Sequence, residues 1–343
     1  MLPSLASCPQ LSMERDVAIV SVADYDVIPS VQCVTIPLED IVLKEVLGSG
    51  SFARVSHATW GACAVAVKQL LSNDCAVAIE AESRLLARLH HPSIVKVFGL
   101  YALPPSPTVN CLVLDVCGQP LGAWLKRLKP RRNREPHSVA CVSTSCFHAC
   151  ICEAMSQIAS ALTCCHSQTS PIVHCDVKPN NIVVRGVTPD IKATLIDFGS
   201  SACLIDRPRS ELRLRGTARY LSPEGWSGDS SLLSPASDVY SFGASLIAAF
   251  CGSLRWDGQP VSLDVNSKQG WEWIRAAVQR GQLPLLPTPS SSAVNARGTC
   301  PDDVHHIIKQ CLCLDPTKRP SAREVATVLS HAAQTLRQKL TSD

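Results

Sequence analysis

The hydrophobic pattern of the chain changes its period once, near residue 120, and this change constrains the fold more than any other feature. Before it, short apolar runs are separated by turns that contain glycine, as in consecutive antiparallel strands. Residues 76–90 interrupt these runs with helical spacing that stops before Pro92. The predicted strands are 41–47, 54–59, 64–70, 94–101 and 110–117, and the predicted later helices are 121–128, 148–167, 236–251, 271–280, 302–313 and 321–338.

A β-rich first third followed by a helical remainder predicts an α+β protein of two lobes with a cleft between them. The length of 343 residues fits about two compact units. A net charge of +3 argues against nucleic acid as a partner. The longest apolar stretch, 242–250, is about half of what a membrane span needs, so we expect a buried helix there.

The 18 cysteines follow no apparent signal or transit peptide, so we expect reduced thiols and a cytoplasmic protein. The cysteines of 146–152 match no standard zinc spacing, and helix-face thiols account for them better.

The first chemical signal is a turn at 48–51, between the first two predicted strands, that contains Gly48 and Gly50. Without side chains there, backbone N–H groups can approach phosphate oxygens, although an ordinary hairpin turn has the same composition. Lys68 ends a later apolar strand, where a buried ammonium needs an anionic partner. Glu82, at the edge of the apolar face of helix 76–90, is the expected partner.

Two further segments decide the interpretation, namely 172–182 (IVHCDVKPNNI) and 195–199 (LIDFG). Together with the glycine turn and the strand VAVK at 65–68, they resemble the ordered signature of eukaryotic protein kinases. The resemblance covers about residues 41–335 and includes GTARYLSPE at 216–224. It implies a bilobal protein kinase fold and a serine/threonine kinase that uses ATP and Mg²⁺ on protein substrates.

The resemblance also implies roles for individual residues. Asp176 would orient the incoming hydroxyl and take its proton, Lys178 would neutralise the γ-phosphate, and Asn181 and Asp197 would hold Mg²⁺. Lys68, steadied by Glu82, would clamp the α- and β-phosphates. The nucleotide would otherwise contact Gly48, Ser49, Gly50, Ser51, Val55, Ala66, Asp115 and Cys117, with Leu114 as gatekeeper.

Other positions are implied to be structural. Arg319 would pair with Glu224, and His174 and Phe198 would pack between the lobes with Leu86. Thr217, like Lys178, accompanies serine/threonine transfer rather than tyrosine transfer in this family.

The expected domains are an extension with little structure of its own at 1–38, a nucleotide-binding lobe at 39–117 and a substrate-binding lobe at 118–338, with a basic insertion at 126–147. The run at 126–134 (KRLKPRRNR) is interpreted as a solvated loop, with docking of an acidic partner or nuclear import as alternatives. We expect a monomer.

Two departures from the family pattern affect regulation and nucleotide binding. Cys175 stands where many kinases have an arginine that receives an activation-loop phosphate, so we predict activity that does not require phosphorylation between Asp197 and Glu224, with Ser210 as the remaining candidate site. Ala53 replaces the third glycine of the phosphate loop, which should leave ATP binding intact. The extension, the insertion, the run at 166–174 and the missing arginine are similar to the mos group, and the segments 281–284 and 311–316 resemble the broader tyrosine-kinase-like group equally. A pseudokinase scaffold and a kinase of small hydroxyl compounds are the alternatives.

Overall fold

The computed structural model describes residues 35–50, 53–71, 76–103, 110–128, 143–187, 189–204, 216–227, 229, 232–260, 262–286 and 300–342. Ser51, Ser210, most of the predicted extension and residues 129–142 of the predicted insertion lie outside these residues.

The first lobe is a five-stranded antiparallel sheet with one main helix. Its elements are β1 (Ile41–Ser49), β2 (Ala53–Trp60), β3 (Cys63–Leu70), α1 (Ala76–Ala87), β4 (Val97–Tyr101) and β5 (Cys111–Asp115), with strand order β1-β2-β3-β5-β4. Alternation in β3 sends Val65 and Val67 into one small core, while Ala66 joins the main core. The main core also takes Ile79 and Leu86 from α1, which is why the sheet and this helix pack together.

The folded part of this lobe begins slightly before its predicted boundary. Thr35 forms a parallel bridge with Leu100, and the N–H of Ile36 donates to the carbonyl of Leu100 at 2.8 Å. Ile36 is buried in the smaller core. These two residues, assigned from sequence to the extension, therefore pack on β4.

The second lobe is mainly helical, as predicted. Its helices are α2 (Leu121–Leu128), α3 (Thr144–His166), α4 (Pro235–Cys251), α5 (Lys268–Gln279), α6 (Asp302–Cys311) and α7 (Ala322–Ser342). Side-chain caps at Ser143 and Ser267 explain why α3 and α5 begin three to four residues before their predicted starts. Residues 126–128 and 144–147 of the predicted insertion are helical, as parts of α2 and α3.

Helix α4 forms the centre of this lobe. Ser234 and Ser237 form a reciprocal capping box, with Pro235 in the first turn, and nearly all later residues are buried. Gly243 allows α6 to approach closely, since a Cβ atom there would lie 2.7 Å from the Cβ of Cys311. The apolar stretch at 242–250 is therefore a buried core helix. Among the described residues, no helix is both long and apolar enough to cross a membrane.

Five short strands in the second lobe were not predicted. They are β6 (Gln119–Pro120), β7 (Ile172–Val173), β8 (Ile182–Arg185), β9 (Lys192–Leu195) and β10 (Ala202–Cys203). Two to four residues are too few for a periodic signal, and tertiary pairing fixes them. Backbone bonds from Val95 to Leu195 and from Leu195 to Ser93, at 3.0 and 2.8 Å, join β9 to the segment that follows α1.

Candidate active site

The predicted nucleotide-contacting residues lie on neighbouring strands. Gly48 is opposite Val55, and Val55 is opposite Lys68. Ala66 is opposite the buried Leu114. Antiparallel pairing thus places directly opposite each other residues that are up to 50 positions apart, and the same pairing explains how a glycine turn and a later lysine can serve one site. At the glycine turn, Ser49 ends β1 and the N–H of Gly50 donates to the carbonyl of Ala53 at 2.8 Å. On the other side of the sheet, Asp115 is opposite Val65, and Cys117 lies two residues beyond β5.

Lys68 is the centre of a buried cluster of charges. Its Nζ lies 2.8 Å from both carboxylate oxygens of Glu82 and 2.7 Å from Oδ1 of Asp197. The side chains of Lys68 and Glu82 are 10% and 4% exposed, whereas that of Asp197 is 44% exposed. Gly199 packs against this cluster, since a Cβ there would lie within 3.4 Å of all three charged groups. One ammonium therefore joins α1 to the segment after β9.

The charges of this cluster stabilise one another. Burial disfavours the ammonium of Lys68, but the carboxylates of Glu82 and Asp197 outweigh it and raise the pKa to about 12. Burial of Asp197 would raise its carboxyl pKa, but Lys68 prevails and lowers it. Burial raises the pKa of Glu82, which Lys68 only partly opposes. At neutral pH, Lys68 is therefore charged.

Asp176 is held by side chains from two segments. Its Oδ1 accepts hydrogen bonds from the N–H and the hydroxyl of Thr217, at 3.0 and 2.9 Å. Its Oδ2 accepts from Nζ of Lys178 at 2.7 Å and from the amide of Asn181 at 3.1 Å. Lys178 also donates to the Thr217 hydroxyl at 2.7 Å. The 216–224 segment is thereby fixed directly against the carboxylate that was predicted to act as the base.

Asn181 and Asp197 present oxygens suited to a hard cation. The amide nitrogen of Asn181 donates to the carbonyl and carboxylate of Asp176, so its amide oxygen is left as an acceptor. The N–H of Ile196, adjacent to Asp197, donates to the carbonyl of Asn181 at 2.9 Å. One carboxylate and one amide oxygen, on two segments joined by this backbone bond, are donor types that fit Mg²⁺.

Asp238, at the start of α4, holds the backbone on which Asp176 sits. Its carboxylate accepts the N–H groups of His174 and Cys175 at 2.8 and 2.9 Å, and Nε2 of His166 lies 2.9 Å away. Cys175 has a left-handed backbone, with φ of 66°, which costs about 1–3 kcal/mol in a residue with a side chain. The two bonds to a charged acceptor offset that strain.

His174 joins Asp176 to the segment before Asp197. Its Nδ1 accepts from the N–H of Asp176 at 3.3 Å, and its Nε2 lies 3.1 Å from the carbonyl of Ile196. These two contacts define a neutral ring with the proton on Nε2. The ring packs edge-on against Phe198, with centroids 4.7 Å apart. The packing role expected of both residues agrees with this arrangement.

Cys175, which stands where many kinases have an arginine, is surrounded by apolar side chains. Its buried thiol lies in a small cluster with Val173 and Ala202, covered by Leu204 and Leu233. Gly216 begins the second described part of the segment between Asp197 and Glu224. Its φ is 124°, and a Cβ there would lie 2.6 Å from the carbonyl of Cys175. Apolar packing at Ala202 and Leu204, and close backbone contact at Gly216, therefore fix the two described parts of this segment.

The expected Arg319–Glu224 pair is present and buried. The guanidinium donates to both carboxylate oxygens at 2.6 and 2.8 Å, and the hydroxyl of Ser237 donates to Oε1 at 2.8 Å. Burial would raise the pKa of Glu224, but Arg319 lowers it.

The residues after β5 form an edge beside the cleft. The N–H of Asp115 donates to the carbonyl of Lys96 at 3.0 Å, and the thiol of Cys117 donates to the carbonyl of Asp115 at 3.4 Å. Burial, together with the Asp115 carboxylate, raises the pKa of Cys117 to about 11, so this thiol is protonated at neutral pH.

This fold and this arrangement of charged residues define a class of protein. The protein kinase domain family matches residues 41–330, and the chain belongs to that family. The predicted bilobal kinase fold is confirmed.

Among individual proteins, the chain is 28% identical over 299 residues to mitogen-activated protein kinase kinase kinase 7 of Homo sapiens, which covers 86% of this chain and 42% of that protein. It is 29% identical over 237 residues to the proto-oncogene serine/threonine-protein kinase mos of Mus musculus, which covers 66% of this chain and 65% of that protein. The chain thus spans less than half the length of the first of these relatives.

Sequence reasoning missed the parts played by Asp238 and His166. Asp238 was predicted only as one residue of the helix at 236–251, although a buried carboxylate in an apolar helix signals that it accepts hydrogen bonds from elsewhere. His166 gave no signal, because its partner lies 72 positions away.

Proposed function

We propose that this chain is an active serine/threonine protein kinase that transfers the γ-phosphoryl group of ATP to hydroxyls of protein substrates. The observation that carries the proposal is that the structure contains two complete clusters, each held together by its own hydrogen bonds: Lys68 with Glu82 and Asp197, and Asp176 with Lys178 and Asn181. Phosphoryl transfer depends on positioning and charge neutralisation, and these clusters provide both.

Each residue has a distinct part in the proposed reaction. Asp176 accepts the hydrogen bond of the substrate hydroxyl and takes its proton late, while Lys178 neutralises charge on the transferred group. Lys68 binds the phosphates of ATP, and the sheet residues around Gly48 and Ala66 enclose the nucleotide. Asn181 and Asp197 hold Mg²⁺, which neutralises the phosphate oxygens when bound.

The preference for serine and threonine is supported by one contact. Lys178 and Thr217, the two residues associated with that specificity in the resemblance, are joined by a hydrogen bond of 2.7 Å. Both touch Asp176, so the hydroxyl of the substrate would enter a site shaped by this pair. The names of the mos relatives, which are serine/threonine-protein kinases, agree with it.

We also propose that transfer does not require phosphorylation of the segment between Asp197 and Glu224. The support is the apolar cluster around Cys175, which offers no cation to a phosphate and instead packs against Ala202 and Leu204. The test is to replace Ser200, Ser201 and Ser210, the serines of residues 200–215, with alanine and to measure transfer by purified, phosphatase-treated protein. Retained activity is expected, and loss of activity would contradict the proposal.

The proposal also covers the location and oligomeric state of the protein and the roles of its two lobes. We propose a cytoplasmic monomer that acts on proteins, with import into the nucleus through the basic run at 126–134 as an alternative. The domain division at 39–117 and 118–338 places the nucleotide mainly on the first lobe and the protein substrate on the second.

The decisive experiment compares wild type with Asp176→Asn. Both are incubated with labelled ATP, Mg²⁺ and a mixed protein substrate, and the phosphoamino acids of the product are identified. Asparagine keeps the shape of the side chain but cannot take the proton, so labelling should fall by at least about a hundredfold. Equal labelling would contradict the proposed catalytic role of Asp176.

A second measurement distinguishes an active kinase from a pseudokinase scaffold. Binding of ATP with Mg²⁺ to wild type, without any labelling of protein, would favour the scaffold. Phosphotyrosine as the main product would contradict the proposed specificity.

A further inference from the structure

A cavity outside the proposed active site lies between the segment after α1, helix α3 and the β8–β9 hairpin. Its volume is about 530 Å³, and His91, Ser160, Arg185, Asp190 and Lys192 are among its lining residues. It contains no member of the Lys68 or Asp176 clusters. It is broadly open to the surface, as a site for a docked peptide would be, rather than an enclosed pocket.

Two cations lie next to each other at this cavity. Arg185 and Lys192 are directly opposite one another in the register of β8 and β9. Like charges in that arrangement repel and destabilise a strand pair. Within the part of the chain that the structure describes, neither cation forms an ion pair with a carboxylate, although Asp190 lines the same cavity. An external anion would relieve this repulsion.

Hydrogen bonds hold the wall beside these cations in place. The Nε2 of His91 lies 3.0 Å from the hydroxyl of Ser160. Gln157 donates to the carbonyl of Ile191 at 2.9 Å and accepts from the N–H of Ala193 at 2.9 Å, which fixes the start of β9 against α3. The cations therefore stand beside a preformed cavity.

Two further cations lie on the helix that is hydrogen-bonded to the residue after Arg185. The indole N–H of Trp124, in α2, donates to the carbonyl of Gly186 at 2.9 Å, immediately after Arg185. The same helix ends with the exposed Lys126 and Arg127, where the basic run of the sequence begins. A site that extended along both elements would fit an extended acidic chain better than a single small anion.

We propose that this cavity, which we call the basic cavity (His91, Ser160, Arg185 and Lys192 with the neighbouring end of α2), docks an acidic peptide segment of a protein partner. Carboxylates of the peptide pair with Arg185 and Lys192, and a neighbouring side chain enters the cavity. Docking is independent of phosphoryl transfer, so it can be measured whether or not the proposed kinase activity is found.

The test is fluorescence anisotropy with the full chain and a labelled 12-residue peptide of ten glutamates and two leucines. The Arg185→Glu/Lys192→Glu variant should bind at least about tenfold more weakly than wild type. The matched control, Lys309→Glu/Arg323→Glu, makes the same change in net charge at exposed positions on α6 and α7 and should change binding less than about twofold. Equal loss in both variants would overturn the proposal, since it would show attraction by net charge alone.

Two further arms complete the experiment. The neutral variant Arg185→Gln/Lys192→Gln removes the cross-strand repulsion, so it should bind the peptide more weakly while its melting temperature does not fall. Weaker binding only together with unfolding would overturn the proposal. So would equal binding of a peptide with lysine in place of glutamate, or displacement of the acidic peptide by inorganic phosphate at equal concentration.

Discussion

Replacing Asp238 with asparagine should loosen the 174–181 segment, which carries Asp176. The carboxylate of Asp238 is 1% exposed and accepts two backbone N–H groups as well as the contact with His166. An asparagine of the same shape can present its oxygen to only one side. Its amide nitrogen must then face the N–H of either His174 or Cys175, and two donors cannot bond.

The magnitude follows from these contacts. The better orientation keeps the oxygen where Oδ2 lies, which retains the bonds from His174 and His166 and loses the bond from Cys175. Loss of a bond to a charged acceptor costs about 1.5–3 kcal/mol, and a buried N–H without a partner adds about 1–3 kcal/mol. We therefore expect the free energy of unfolding to fall by about 3–5 kcal/mol. Cys175, with its left-handed backbone, should relax first and displace Asp176.

The assay combines thermal unfolding with the rate of phosphoryl transfer. The matched control is Asp315→Asn, the same chemical change at an exposed carboxylate that accepts the N–H and the hydroxyl of Thr317 at 3.0 and 2.7 Å. Asparagine caps a turn as well as aspartate does, so the control should lose less than about 1 kcal/mol. The reasoning is refuted if the two variants unfold at the same temperature and transfer phosphate at the same rate.

Three other substitutions test separate features. Gly216→Ala should lower the free energy of unfolding by more than Gly61→Ala, since φ is positive at both positions but only the first Cβ meets backbone, 2.6 Å away; equal melting temperatures would contradict this. Arg319 lowers the pKa of Glu224, so the ionised carboxylate contributes to the free energy of unfolding above the ordinary carboxyl pKa of about 4.3, and this contribution is lost as pH falls through the folded value. The melting temperature of Glu224→Gln should therefore fall less steeply with acid pH than that of the wild type. Cys175→Arg would bury a guanidinium in an apolar cluster and should cost about 2–5 kcal/mol, whereas Cys175→Val should cost far less; equal unfolding temperatures would show that the cluster admits a cation.

Much of the fold and of the proposed site could be predicted because the relevant signals are local. The strands of the first lobe and the helices of the second have enough residues to show their period, and their predicted positions agree with the structure within a few residues. The site residues lie in short runs of unusual composition, around Lys68, Asp176 and Asp197. The partner of Lys68 could be chosen because only Glu82 combined the right helix with the right face.

The chemistry available to this protein can be deduced from its amino-acid sequence: which lysines, carboxylates and amides the site contains, and which periodic segments form the two lobes. How these groups are held depends on tertiary contacts. The five short strands, the acceptance of two backbone N–H groups by Asp238, the apolar cover of Cys175 and the opposed cations Arg185 and Lys192 all depend on contacts between distant segments. Such contacts leave no periodic trace in the chain, because each is made by one or two residues whose partners are selected by packing.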